Sequence, residues 1–583
     1  MEGSSDQPFC WRWARSGVTA AHREELYHIL RMTGPLLLSR ILSYLLPFVV
    51  TMFCGRLGNE VMAGYGLASA TINVTTAATG YGLGLACDTL VSQTFGGKNL
   101  HQVGVILQQS IIILLLFCLP CWGLLINAQI ILLCLGQDPE VARIAQLYIT
   151  AFLPAVPAMF LFNLQVSYLQ NQGIILPQMY AAALANIANL VTNYIFLYWL
   201  NLGVAGSAAA NTLSQIYICV FLFCYIWWKK LHVTTWRGWS AESLQEWGSY
   251  MKLAIPSTLM KCFEWWWLYE FGGFFAGMLS EDELAAQHAV IIVAFIIYMF
   301  PLGVQAAACA RVGNALGAGD TARAILTSKM SLTLAGSFAV IEGIVLGSTK
   351  TVIGYIFTSD ENIARLVSNL MNAYCFLQFF DGLVCVCTGI FLGTGKQKIP
   401  AVANLVGYYG IGLSLSVTFI FVAEIRIIGF WLGLLICVVL QSIFYIVVIF
   451  WLNWKRMTEE AVKRAQTKSP MTLLATDAML DNMGNNIPGQ ALNNENSSDG
   501  YTSVSTEQKD GSFETQLTGL RLSTSQLIIR RGLVAFAAVA LLAVGVSVHF
   551  LVPLPEIHSA KANLTEDSIN ATSAPDPFFP TTQ

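Results

Sequence analysis

Long apolar runs, each bounded by Gly, Pro, Asn or charge, dominate the chain. They fall at 31–53, 64–90, 104–132, 147–168, 178–200, 203–228, 250–275, 284–308, 326–348, 366–392, 400–423 and 428–452. A bilayer core takes roughly 20 apolar residues per helical crossing, so each run predicts one spanning helix. A last run, GLVAFAAVALLAVGVSVHFLVPL at 532–554, stands apart. The stretch before it, from 455 to 531, is rich in Ser, Thr, Asn, Gln and Asp. Such a composition buries too little apolar surface to fold and predicts a disordered linker. The expected fold is an all-α polytopic membrane protein with two six-helix repeats, hence twelve core helices, and one C-terminal helix. Its divisions are an N-terminus (1–30), a first lobe (31–228), an inter-lobe loop (229–249), a second lobe (250–454), the linker (455–531), the thirteenth span (532–554) and a tail (555–583).

Composition supports the membrane reading. Hydrophobic residues make up 55% of the 583 and charged ones only 11%, where soluble domains carry about a quarter. Most of the fourteen cysteines lie inside apolar runs, without the spacing of a disulfide framework or zinc site, and read as small buried hydrophobes. The N-terminus lacks the apolar core of a signal peptide, so the first span is expected to act as its own targeting signal. Lys and Arg cluster before the first span (Arg23, Arg31), after the sixth (Lys229, Lys230) and after the twelfth (Lys455, Arg456). The positive-inside rule then puts the N-terminus and linker in the cytoplasm and the tail outside. The sequons at Asn563 and Asn570 lie in that tail and are candidate N-glycan sites, whereas Asn73-Val-Thr inside a span reads as a chance match.

The two halves repeat. Pro35 matches Pro256, 221 positions on, and the same offset sets Gln93, Gly96 and Asn99 beside Asn314, Gly317 and Asp320. Further along, an offset of 223 pairs Pro177 with Pro400 and Gly206 with Gly429. Six spans per half makes the repeats parallel, related by an axis along the membrane normal. Such halves can rock about a central site, which is alternating access. A receptor or channel subunit has no need of that.

GLGLACDTLVSQTFGGKNLHQVGVILQ (82–108), LQNQGIILPQ (169–178), LAIPSTLMKCFEWWWLYE (253–270), ARVGNALGAGD (310–320) and GTGKQKIPAVANLVGYYGIGL (393–413) resemble the multidrug and toxin extrusion (MATE) family in its vertebrate branch. The resemblance covers about residues 25–455, and a thirteenth span is that branch's habit. It implies twelve core helices in two lobes at the plasma membrane. It also implies export of organic cations, xenobiotics among them, in exchange for protons, with carboxylates and aromatics binding substrate in a central cavity.

Ionisable groups inside spans are costly and are functional candidates by default. Glu264, Glu270, Glu342 and Asp381 qualify; Glu264, Asp381 and Glu270 are the proton- and cation-coupling candidates, while Glu342 has no family counterpart. A carboxylate in a low-dielectric site holds its proton more readily than one in water, so it can exchange that proton for an organic cation. Ring faces attract protonated or quaternary amines, making Trp265, Tyr269 and Tyr298 substrate-binding candidates, with Asn73 as a polar one. Trp265 and Tyr269 stand four apart, on one helix face. Asp88, Gln93, Gly96, Pro35 and Pro256 read as structural motif residues, Asp88 as a helix-end hydrogen-bonding group.

Several positions depart from the family pattern. The run from Glu264 to Glu270 has one residue more than expected, which turns every later position by about 100° unless a π-bulge absorbs it. Ile292 stands where a further glutamate is expected. Arg40 and Lys261, also paired by the 221 offset, put cations inside spans. They are expected to pair with nearby carboxylates or snorkel to the surface. A cation facing the cavity would instead shift the substrate range towards zwitterions or anions.

No P-loop, metal-ligand cluster or nucleophile–base pair marks an enzyme or an ATP-driven pump, and no basic block suggests nucleic acid. The expectation is a monomeric antiporter without a cofactor, coupled to protons and moving small organic cations. The alternatives are a Na⁺-coupled or an anion or zwitterion transporter of the same fold, and a non-transporting polytopic receptor.

Overall fold

The structure, a computed structural model, describes residues 20–266, 272–357, 360–466 and 524–552. The described residues are helical, with no strand. Ten helices are long and apolar enough to cross a membrane, and eleven if Pro139–Phe152 and Ala155–Gln170, bent by 58° at their junction, count as one span. The expected second and seventh spans fall short of that standard. The second is two helices, Asn59–Ile72 and Ala78–Gly96, joined by a π-helical turn at Asn73–Ala77. Gly, Ala and Thr replace bulky apolar residues because Ala78–Gly96 faces protein rather than lipid, with Gly82, Ala86, Thr89 and Gln93 all buried. The seventh consists of Trp247–Trp266 and Gly272–Leu279, with the residues between outside the described set.

Two apolar cores form. One gathers Val50 to Ile226 together with Trp247, Tyr250 and Ala254 from the seventh span. The other gathers Phe275 to Ile449 together with Ile29 and Leu36 from the first helix, Ala20–Leu57. Each lobe therefore lends the N-terminal part of its first helix to the other. Glycines make these crossings close: a Cβ on Gly82 would lie 2.4 Å from the Thr258 Cα, and one on Gly303 would lie 3.4 Å from Thr33. Gly82 and Gly303 stand 221 apart, so both crossings are the same contact made twice.

At the C-terminal ends of the second and eighth spans (the eighth is Glu281–Gly317), the repeat meets itself. A Cβ on Gly96 would sit 2.1 Å from the Asn314 carbonyl oxygen, and one on Gly317 would sit 1.8 Å from that of Gln93. Gln93 and Asn314 are themselves repeat partners, so the pseudo-twofold axis runs through this contact. Asn99 and Asp320 each cap the following helix by accepting an amide three residues on, from Gln102 and Arg323. Arg311 donates twice to Glu25, at 2.5 and 2.6 Å, tying the start of the first helix to the second lobe.

Two expected boundaries change. The first helix is already formed at Ala20, the first described residue and well before the apolar run, because these turns pack through Glu25 and Ile29 against the second lobe. The linker expected from 455 opens instead with an amphipathic helix, Trp454–Ala465. That helix lies under both lobes. Arg464 donates to Gln93 at 2.9 Å and Asn99 donates to the Ala465 carbonyl at 3.1 Å, while Lys396 pairs with Glu460 at 2.9 Å. Its charges suit a wet surface, and its short length and low apolarity give it the signature of solvated chain. The Lys396 ammonium hydrogen-bonded to Glu460 holds that carboxyl below its ordinary value of 4.5. A depressed carboxyl contributes stability above its unfolded pKa and loses it only as pH falls through the lower folded value. Docking of this helix is therefore expected to be constant from about pH 5 to pH 8. Probes placed on the helix and on the second span should report no change of separation across that range.

The thirteenth helix, Thr524–Leu551, crosses Leu100–Leu125 where Gly545 meets Gly123, and Asn127 donates to the Gly545 carbonyl at 2.8 Å. A Cβ on Gly545 would approach the Gly123 carbonyl oxygen to 2.5 Å. Small residues let membrane helices approach this closely. Gly545→Val should detach the thirteenth helix from the first lobe while the core stays folded, read as loss of a disulfide cross-link engineered along the two helices.

Candidate functional site

The seventh span carries Lys261, Glu264 and Trp265 towards the junction of the lobes. Spaced three apart, Lys261 and Glu264 share a helix face, and Lys261 Nζ donates to Glu264 Oε2 at 2.9 Å. The other oxygen, Oε1, accepts from the Tyr298 hydroxyl of the eighth span at 3.1 Å. Asp381, midway along Glu361–Thr394, lies in electrostatic reach of both Glu264 and Lys261. Tyr408 of the eleventh span lies in electrostatic reach of the same two carboxylates. Lys261 is buried, whereas Glu264, Asp381 and Tyr298 are half-buried.

The first lobe closes the site from across the junction. Tyr81 stacks on Trp265 with centroids 6.1 Å apart and planes 15° apart. Trp266 donates through its indole nitrogen to the Val74 carbonyl at 3.0 Å, within the π turn that begins at Asn73. Asn73 is thus placed beside the seventh span, half-buried. π turns of this kind leave backbone groups free to be used, and they concentrate at functional sites.

The other sequence candidates divide clearly. Asp88 accepts from Ser167 and from Asn171, both at 2.6 Å, and has Arg40 in electrostatic reach. It ties the second span to the fourth within the first lobe, apart from the Glu264 group. Gln93 donates to the Gly393 carbonyl at 2.9 Å and belongs with Gly96 to the contact between the lobes. Pro35 and Pro256 sit inside their helices, near the two lobe crossings. Glu342, on Thr321–Phe357, lies behind the site among Pro301, Val304 and Gly382, with one oxygen buried and unpartnered. Glu270, Tyr269 and the sequons at Asn563 and Asn570 lie outside the described residues. Tyr81 and Tyr408 carry no signal in the sequence, since nothing local marks a tyrosine in an apolar run as cavity-facing.

Loss of one hydrogen bond to a charged group is worth about 1.5–3 kcal/mol. Tyr298→Phe is therefore expected to cost the fold about 1.5–3 kcal/mol, measured as a lower midpoint of thermal unfolding.

The MatE family model matches residues 35–195 and 256–418. Its two copies start 221 apart and end 223 apart, the offsets of the internal repeat. The chain belongs to the multidrug and toxin extrusion family. It is 46% identical over 557 residues to "Multidrug and toxin extrusion protein 1" of Danio rerio, covering 94% of each chain. To the Homo sapiens protein of the same name it is 43% identical over 548 residues, covering 93% of this chain and 96% of the relative. The crystal structure of the eukaryotic MATE transporter AtDTX14 superposes with a TM-score of 0.73 at 25% identity, over 76% of this chain and all of the other. The protein is thus a multi-pass MATE extrusion transporter and not an enzyme.

Proposed function

We propose that this MATE transporter exports small organic cations in exchange for protons, by alternating access of its two lobes about the Glu264–Asp381 site. The observation that carries this reading is the meeting of two carboxylates from different helices, both half-buried, at a lobe junction walled by Trp265, Tyr81, Tyr298 and Tyr408. Carboxylates supply the exchangeable negative charge, and ring faces favour an amine over a hydrated metal ion. A proton or a cation neutralises the site, but not both together, so loading one expels the other. The coupling ion is the proton and no cofactor takes part. Each pH unit then supports about a tenfold cation gradient for one-for-one exchange, or about 1.4 kcal/mol.

The protein is further assigned to the plasma membrane as a monomer, with a cytoplasmic N-terminus and an external tail carrying N-glycans at Asn563 and Asn570. Extrusion proteins named for multidrug and toxin substrates, at this identity, support the substrate class. The test is uptake of labelled tetraethylammonium into proteoliposomes of the full chain under an imposed pH gradient. Uptake should follow the proton gradient and ignore Na⁺; uptake that follows Na⁺ and ignores pH overturns the reading.

A further inference from the structure

We propose that Lys261 is a tethered counter-cation that limits the central site to one substrate charge at a time, so that it takes monovalent organic cations and refuses divalent ones. The inference rests on the assignment of Glu264 and Asp381 as the cation site, and it adds the charge class of the substrate.

Lys261 is only 3% exposed, and its ammonium is bonded to Glu264 at 2.9 Å. Tyr298 donates to the other oxygen, so both oxygens of Glu264 are engaged from within the chain. Among the described residues, the groups packed round the pair bring no further cation. The second span contributes Tyr81, the eighth Tyr298, the tenth Asp381 and Cys385, and the eleventh Tyr408. Among the described residues the site therefore holds one fixed positive charge and two carboxylates. One negative charge is left uncompensated.

That remainder decides what can bind. A proton or a monocation neutralises it. A dication brings one charge too many, and room for the second exists only if Lys261 releases Glu264. Lys261 cannot follow a departing ligand, being tethered to the helix and enclosed by protein, and a buried ammonium stripped of its partner is strongly disfavoured. Lys261 therefore occupies permanently, from within the chain, the place a second substrate charge would need.

Charge counting makes the idea testable through variants. Glu264→Gln leaves Lys261 and Asp381 to cancel, so cation binding should vanish. Lys261→Met leaves two uncompensated carboxylates and should open the site to dications. The double variant Glu264→Gln/Lys261→Met returns the count to one negative charge, and monocation exchange should recover. A purely structural role for Lys261 predicts no such recovery.

The experiment compares tetraethylammonium with the bis-quaternary ion hexamethonium in proteoliposomes of the full chain under a pH gradient. The unmodified protein should move tetraethylammonium at least about tenfold better, and excess hexamethonium should not compete. Lys261→Arg should keep that preference; Lys261→Met should lose it. Transport of both ions by the unmodified protein, or refusal of hexamethonium by a Lys261→Met protein that still moves tetraethylammonium, overturns the inference while leaving the proposed function standing. If neither ion moves, the proposed function itself fails and the inference falls with it.

Discussion

Glu264→Gln is expected to abolish pH-driven cation exchange while the protein still folds and reaches the membrane. The side chain accepts from Lys261 on one oxygen and from Tyr298 on the other, so it joins the seventh span to the eighth as well as carrying charge. A glutamine keeps the shape and one acceptor. It removes the negative charge, and Lys261 then turns to Asp381, the remaining carboxylate in reach. A buried pair that loses one partner costs about 3–5 kcal/mol if the other charge stays uncompensated, and the presence of Asp381 lowers that cost. The protein is thus expected to survive and its transport is not. Initial rates in proteoliposomes, normalised to the amount of folded protein by size-exclusion profile, measure this. Normal exchange would remove Glu264 from the coupling machinery.

The second large effect is expected away from the Glu264 site. Gly317→Val places a branched side chain where even a Cβ would come within 1.8 Å of the Gln93 carbonyl oxygen. The obstruction is backbone, which cannot rotate away, and it sits on the pseudo-twofold axis where the second and eighth spans meet. Elsewhere in a helix, replacing glycine by a residue with a side chain tends to stabilise. Here the lobes must separate instead. The variant is expected to bind substrate with near-normal affinity yet turn over at under about a tenth of the normal rate, since the proposed alternating access needs that contact to form and release. A spin or fluorescence pair across the contact should read a larger separation in Gly317→Val. Gly96→Val should match it, because Gly96 meets Asn314 in the same way. Unequal effects would deny the pseudo-symmetry its role.

Much of the fold is legible in the chain. The spans announce themselves where helices face lipid, because nothing but apolar side chains is tolerated there. Ala78–Gly96 signals weakly, since a helix enclosed by protein is free to use Gly, Thr and Gln. The 221-residue register is readable from Pro35 and Pro256. That its glycines interlock across an axis is a property of two distant segments and leaves no local trace. Lys261 and Glu264 fall on one face by spacing alone, and their pairing follows from helical periodicity. Tyr81 reaches Trp265 from the other half of the chain, and only the fold brings them together. The helix Trp454–Ala465 is hidden for a different reason: its charges resemble those of solvated chain, and its order comes from Gln93, Asn99 and Lys396, contacts no composition reveals.

The central claim is that proton and cation compete for the same carboxylates. It is tested most directly by adding tetraethylammonium to the purified full-length protein in weakly buffered solution and following pH with an indicator dye. Release of about one proton per cation bound is expected at a pH where the site is protonated, with no release from Glu264→Gln or Asp381→Asn. Cation binding without proton release, or release that persists in both variants, would contradict it.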